Sequence, residues 1–199
     1  VTDRIPIQND VNSLRWQVSV VETFENLMEF SIVTSTRRRR CEVVSTQTGQ
    51  AIALLQGEGV YVGPKFDVKI GRCNRKSAYS ADGEYLGHII SKKARRGSLA
   101  YIREFNQEGL GVLIGRRVDV GAKLANTPGS MLLETIQFVN WMLPFRIRFE
   151  SADSPGFEVF KKPGPSTDLH FKVYDHRVSR MLMISCYELI VAEEGGDGY

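Results

Sequence analysis

The chain has 199 residues, 42% hydrophobic and 25% charged, which is enough apolar matter for one well-cored domain and excludes a fibrous or wholly disordered chain. No window reaches the roughly 18–20 uncharged apolar residues of a membrane-spanning helix; the nearest, residues 131–143, is too short and contains Glu134. The net charge of +3 conceals a polarised distribution: residues 37–117 carry 16 Lys or Arg against 7 Asp or Glu, whereas residues 1–36 carry 2 against 5 and residues 118–199 carry 8 against 11.

A concentrated basic segment attracts polyanions far better than the same charge scattered. Cys41, Cys73 and Cys186 are widely spaced and odd in number, and no Asn-x-Ser/Thr sequon occurs. This points to a reducing, intracellular setting rather than a disulfide-stapled one. The chain begins at Val1 with no basic-then-apolar leader and reads as a processed or excised piece.

In chain order, residues 1–12 read as an N-terminal arm, residues 13–191 as a single β-rich domain and residues 192–199 as a disordered acidic tail. Leu14, Trp16, Val18 and Val20 alternate with polar residues, the period of a half-buried strand. Residues 22–33 fit either a helix or strands. The alternation of Met28, Phe30 and Ile32 favours a strand ending before Arg37.

Two similar strand-turn-strand units follow, 41–46 with 50–55 around Gly49, and 76–80 with 84–90 around Asp82-Gly83. Asp-Gly is a strong hairpin signal because glycine takes positive φ freely. Phe66, Val68 and Ile70 give a strand between them, and short strands are expected at 99–105, 110–114 and 117–120 with glycines between. Beyond Thr127-Pro128-Gly129-Ser130, Leu132, Ile136, Val139 and Leu143 share a helical face that Pro144 ends, so a buried apolar helix is expected near residues 129–143. Strand patterning then returns at 145–149, 157–160 and 169–173, with a turn at Asp175-His176-Arg177, and residues 180–191 close the fold. The expected fold is mainly β, an antiparallel barrel or sandwich of about ten to twelve short strands.

The candidate polyanion-binding residues are Arg37, Arg38, Arg39 and Arg40, Arg72, Arg75 and Lys76, Lys92, Lys93, Arg95 and Arg96, and Arg116 and Arg117. If the arginine run and the 92–96 cluster flank the same end of the sheet, their guanidinium forks can clamp phosphate groups. The bland alternative is a set of solvated loops. Tyr61, Phe66, Tyr79, Tyr85 and Tyr101 lie in the basic segment and could stack on nucleic-acid bases, although on alternating strands such rings are more often half-buried core. Ser98 follows Arg95-Arg96-Gly97 in the pattern of a basophilic kinase site; a phosphate there would add about −2 charge and weaken polyanion binding.

The sequence holds no compact catalytic constellation. His170 and His176 are separated by a turn and read as surface histidines rather than metal ligands. Cys73 between Arg72 and Arg75 has the flanks of a lowered-pKa thiol, without a nearby histidine to act as base. Gly109-x-Gly111-x-x-x-Gly115 is followed by no helix and lacks the setting of a dinucleotide loop.

Three segments resemble the tubby-like superfamily, which includes the tubby C-terminal domain, phospholipid scramblases and LURP-one-related proteins. They are Cys41-Glu42-Val43-Val44-Ser45-Thr46-Gln47-Thr48-Gly49, Ser77-Ala78-Tyr79-Ser80-Ala81-Asp82-Gly83, and Trp141-Met142-Leu143-Pro144-Phe145-Arg146-Ile147. The resemblance implies a twelve-stranded barrel around an apolar helix and engagement of membrane lipids through basic side chains. The family's central helix is C-terminal, whereas the apolar pattern here is internal, and the cysteine-rich segment of scramblases is absent, so no scrambling activity is implied.

The expected function is a non-enzymatic module that binds anionic phospholipid headgroups through the basic surface, at the cytoplasmic face of a membrane, with the nucleus as a further setting. The alternative is a viral matrix or coat protein that self-assembles and uses the same surface on nucleic acid or membrane. Neither reading calls for a cofactor, a metal ion or a small-molecule substrate.

Overall fold

The computed structural model describes residues 23–35, 40–93, 101–118, 144–164 and 166–194. Twelve strands precede one long helix: β1 (Glu29–Ser35), β2 (Arg40–Ser45), β3 (Ala51–Gln56), β4 (Gly59–Val62), β5 (Val68–Cys73), β6 (Ser77–Ser80), β7 (Tyr85–Lys93), β8 (Tyr101–Gln107), β9 (Gly111–Arg117), β10 (Phe145–Glu150), β11 (Phe157–Lys161), β12 (Leu169–Val173) and α1 (Arg180–Glu194). Each strand pairs antiparallel with its chain neighbours, and β12 pairs back onto β1 to close a barrel. Closure satisfies both edges of every strand, so no ladder is left open among the described residues.

The period of two decides which side chains fill the barrel. Phe30 and Ile32 of β1, Val43 of β2, Ala53 and Leu55 of β3, Phe105 of β8, Phe149 of β10 and Phe157 of β11 are buried at alternate positions of the barrel wall, and Ser31, Leu54 and Glu158 beside them are covered as well. Phe149 and Phe157 stack with centroids 4.5 Å apart, and Phe105 meets Phe157 edge-on at 4.9 Å. Strand β4 was not expected from the sequence, because its four residues are too few to display alternation.

Residues 180–191, expected only to close the fold as strand patterning returned, are helical. Every residue from 181 to 187 is buried, as befits a helix apolar on all faces that is surrounded by a barrel wall. Such a run offers no amphipathic stripe, which is why its period is hard to read. The wall makes room for it with glycine: a Cβ on Gly71 would strike Met181, and one on Gly87 would strike Leu182. The helix expected near 129–143 and the strand expected at 14–20 lie outside the described residues. The strand expected at 110–114 lies within β9, which runs on through Gly115, under the Phe149 ring, to Arg117; residues 119 and 120 of the strand expected at 117–120 lie outside the described residues.

The start of α1 is held from three sides. Ser179 Oγ accepts from the Leu182 N–H at 3.3 Å, Glu25 accepts from the N–H groups of Arg180 at 2.8 Å and Met181 at 3.2 Å, and Gln107 Oε1 accepts from the Ser179 N–H at 2.7 Å. These contacts satisfy donors that a helix N-terminus leaves without partners. The fully buried Arg180 donates to the carbonyls of Leu27, His176 and Val178, and so plugs this end of the barrel with its own backbone.

Candidate polyanion-binding rim

An up-and-down barrel sorts its connections by parity. The links β1–β2, β3–β4, β5–β6, β7–β8, β9–β10 and β11–β12 belong to one rim; the remaining links, with the β12–α1 connection, belong to the other. Helix α1 starts at the second rim, here the entry rim, and runs toward the first, the exit rim. There Tyr187 Oη lies 2.7 Å from Thr34 Oγ1 near the end of β1, and Glu193 meets Arg103 near the start of β8.

The charges sort with the rims. Among the described residues, the links of the exit rim carry Arg75, Lys76 and Lys162 against Glu58 and Asp168. The six links of the entry rim contain two against six, a net of −4. Strand β1 ends and β2 begins at the same rim at which β7 ends and β8 begins, the relationship that a phosphate clamp from the arginine run and the 92–96 cluster requires. Arg37, Arg38, Arg39, Arg95, Arg96 and Ser98 themselves lie outside the described residues.

The described candidates divide into three settings. Arg75 and Lys76 are exposed in the β5–β6 turn, and Asn74 Oδ1 accepts from the N–H groups of Lys76 and Ser77, both at 3.0 Å, which fixes the turn that presents them. Arg72, on the outer face of β5, lays its guanidinium 4.5 Å from the centroid of Tyr79. These three residues stand within five positions of one another at the exit-rim end of β5 and in the β5–β6 turn.

Lys92 and Arg116 are exposed on the outer wall approaching the rim, Lys92 bonded to Glu104 at 3.0 Å and Arg116 directly across from Arg148. Two like charges in opposite positions of a ladder repel. Arg148 turns aside onto the ring of Tyr174, 3.9 Å away, and donates to the Pro155 carbonyl.

Arg117 instead pairs with the buried Ile147 and lies 5.6 Å from the Phe145 ring, so it belongs to the barrel interior rather than to the outer cationic face. Arg40 opens β2 half-buried, and Lys93 ends β7.

Two ionisable groups near this rim are not among the candidates named from the sequence. Lys161 is 3% exposed, donates to the carbonyls of Lys162 and Gly164, and has its pKa lowered by burial. Glu188 on α1 is half-buried; desolvation, with Glu58 adding and Arg75 opposing, pushes its carboxyl up to about 7. Lys161 follows Phe157 and Val159 at even spacing, so a period-two reading could have turned it inward; Glu188 depended on recognising α1.

Cys73 corrects the sequence reading. Its flanking arginines point elsewhere, and burial, with Glu188 and Glu58 nearby, drives its pKa upward rather than down. A buried thiol in such surroundings is inert. His170 is half-buried, with Nδ1 2.6 Å from Ser31 Oγ and its ring stacked on Phe160. Tyr61, Phe66, Tyr79 and Tyr101 are half-buried, and Tyr85 is exposed. The chain matches no protein-family model, no curated protein and no solved structure. The chemistry of the rim therefore carries the functional reading by itself.

Proposed function

We propose that this protein is a non-enzymatic module that binds phosphate-bearing polyanions, and anionic phospholipid headgroups first among them, through the exit rim. The observation that carries the reading is the asymmetry between the two rims: the described links of the exit rim carry three cations against two carboxylates, those of the entry rim two against six. A molecule with this polarity is oriented by a negatively charged surface before it touches it. Each Lys or Arg close to an anionic leaflet contributes about 1 kcal/mol, screened within a Debye length of roughly 8–10 Å. Arg72, Arg75 and Lys76 provide the rigid part of the contact, because the Asn74 turn and the Tyr79 ring hold them.

The closed twelve-stranded antiparallel barrel is compatible with the tubby-like fold, and the C-terminal position of α1 matches the place of that superfamily's central helix. Membership is part of this proposal. The competing reading, a self-assembling matrix or coat subunit, would need a surface other than a strand edge, since each strand already has two neighbours.

The test is co-flotation with phosphatidylserine-containing and neutral vesicles at low and moderate salt, with and without competing RNA, comparing wild type with an Arg75→Glu/Lys76→Glu variant. Headgroup binding predicts flotation with anionic vesicles alone, lost in the variant and resistant to RNA. Release by RNA, or growth into large particles without flotation, favours the nucleic-acid or coat reading instead.

A further inference from the structure

The outer wall of β7–β9 has an unusual composition. Among the described residues seven large hydrophobic side chains are exposed, and five of them stand on β7–β9 or immediately beyond β9: Ile90, Ile102 and Val118 toward the exit rim, Tyr85 and Val112 near the entry rim. Ile90 is opposite Glu104, which is opposite Ile114, and one row nearer the rim Lys92 is opposite Ile102, so Ile90 and Ile102 are diagonal neighbours across β7 and β8. Apolar tips thus alternate with Lys92 and Arg116. Clusters of exposed apolar side chains on one face of a protein mark contact surfaces.

We infer that the outer face of β7, β8 and β9 is the surface this protein lays against the interfacial zone of an anionic membrane, with the exit rim toward the headgroups. The inference rests on the headgroup reading of the rim. Its occupant follows from the mixture of side chains: the cores of protein–protein interfaces are depleted in lysine, whereas aliphatic tips interleaved with cations suit the boundary between headgroups and acyl chains. Lys92 can extend its stem along the wall and keep its ammonium among phosphates. Charge complementarity fixes the direction of approach, because the acidic entry rim, which includes Asp82, Glu84 and Glu108, is the end repelled by the leaflet.

The experiment compares wild type with an Ile90→Ser/Ile102→Ser/Val118→Ser variant in flotation with phosphatidylcholine–phosphatidylserine vesicles, and in retention on heparin as a soluble polyanion. All three positions are exposed, and thermal unfolding checks that the fold is kept. The expected result is vesicle binding weakened by about tenfold or more, from the lost burial of three aliphatic groups, with heparin retention unchanged. Equal vesicle binding by both proteins overturns the assignment. So does a wild-type dimer that the variant loses while vesicle binding persists, which would make a second copy the occupant. If wild type is retained by heparin yet floats with no vesicle, the headgroup reading itself has failed and this inference falls with it.

Discussion

Arg103 and Glu193 meet inside the barrel: Nε and Nη2 of the guanidinium both donate to Oε2 of the carboxylate, at 2.9 and 2.6 Å, and the arginine side chain is 1% exposed. The pair ties β8 to the last turns of α1 and fixes where the helix leaves the barrel. Replacing the carboxylate by an amide removes the negative charge that faces the buried guanidinium. Glu193→Gln is expected to lower unfolding free energy by about 1–3 kcal/mol, read as a lower urea midpoint at unchanged slope. A midpoint equal to wild type would show that α1 is held by packing alone.

The glycines that face α1 give a prediction of opposite character, steric rather than electrostatic. A Cβ at Gly71 would collide with the Tyr79 carbonyl and with Met181, and the backbone member of that pair cannot swing away. Gly71→Ala is expected to cost about 1–3 kcal/mol through overpacking. Gly49→Ala meets nothing within 4 Å and is strained only by its φ of 68°, so its cost should be smaller, about 1–2 kcal/mol. Thermal unfolding of the two variants ranks them; a larger loss at Gly49 would contradict the close packing of helix and wall.

Much of the wall was legible in the sequence because period-two alternation is local. Phe145, Ile147 and Phe149, or Leu169, Phe171 and Val173, declare one buried face each, and Asp82-Gly83 declares its turn. Helix α1 was not legible, since burial on all sides removes the polar stripe by which a helix is recognised. The cationic rim was half legible. The charge runs are plain in the sequence, but which rim each link joins depends on the parity of connections, and parity cannot be counted until β4 is recognised. Arg117 shows the remaining limit: a run of two arginines on a strand must place one on each face.

The cysteines test the interior directly. Burial pushes Cys186 up to about 12 and Cys73 further still, while Cys41 is half-buried with its sulfur 3.6 Å from Tyr187 Oη. A thiol-specific reagent at pH 8 is expected to label Cys41 first in the native protein, and Cys73 and Cys186 only at the rate of unfolding. Rapid native labelling of Cys73, located by peptide mapping, would restore the reactive thiol that its flanking arginines imply.

Glu188 links the barrel interior to the cationic rim through pH. Its carboxyl is pushed from 4.5 to about 7 by burial, with Glu58 of the β3–β4 link raising it further and Arg75 of the β5–β6 link opposing; Cys73 of β5 is a further ionisable neighbour. Between these two values the folded chain holds a proton that the unfolded chain has released. Stability must therefore fall as pH rises from about 4.5 to about 7, and then level off. With allowance for solvent screening of a half-buried group, the loss across that window is about 1–2 kcal/mol. Glu25, whose pKa is also raised by burial, adds to the same slope, so the quantity to measure is the difference between wild type and Glu188→Gln in urea unfolding at pH 5, 6, 7 and 8. That difference should grow with pH and favour the variant at pH 8. Deprotonation of Glu188 also sets a negative charge beside Arg75, so heparin retention of wild type should strengthen on acidification through pH 7 by more than that of the variant. Parallel pH profiles for the two proteins would separate Glu188 from the rim and leave its raised pKa a property of the core alone.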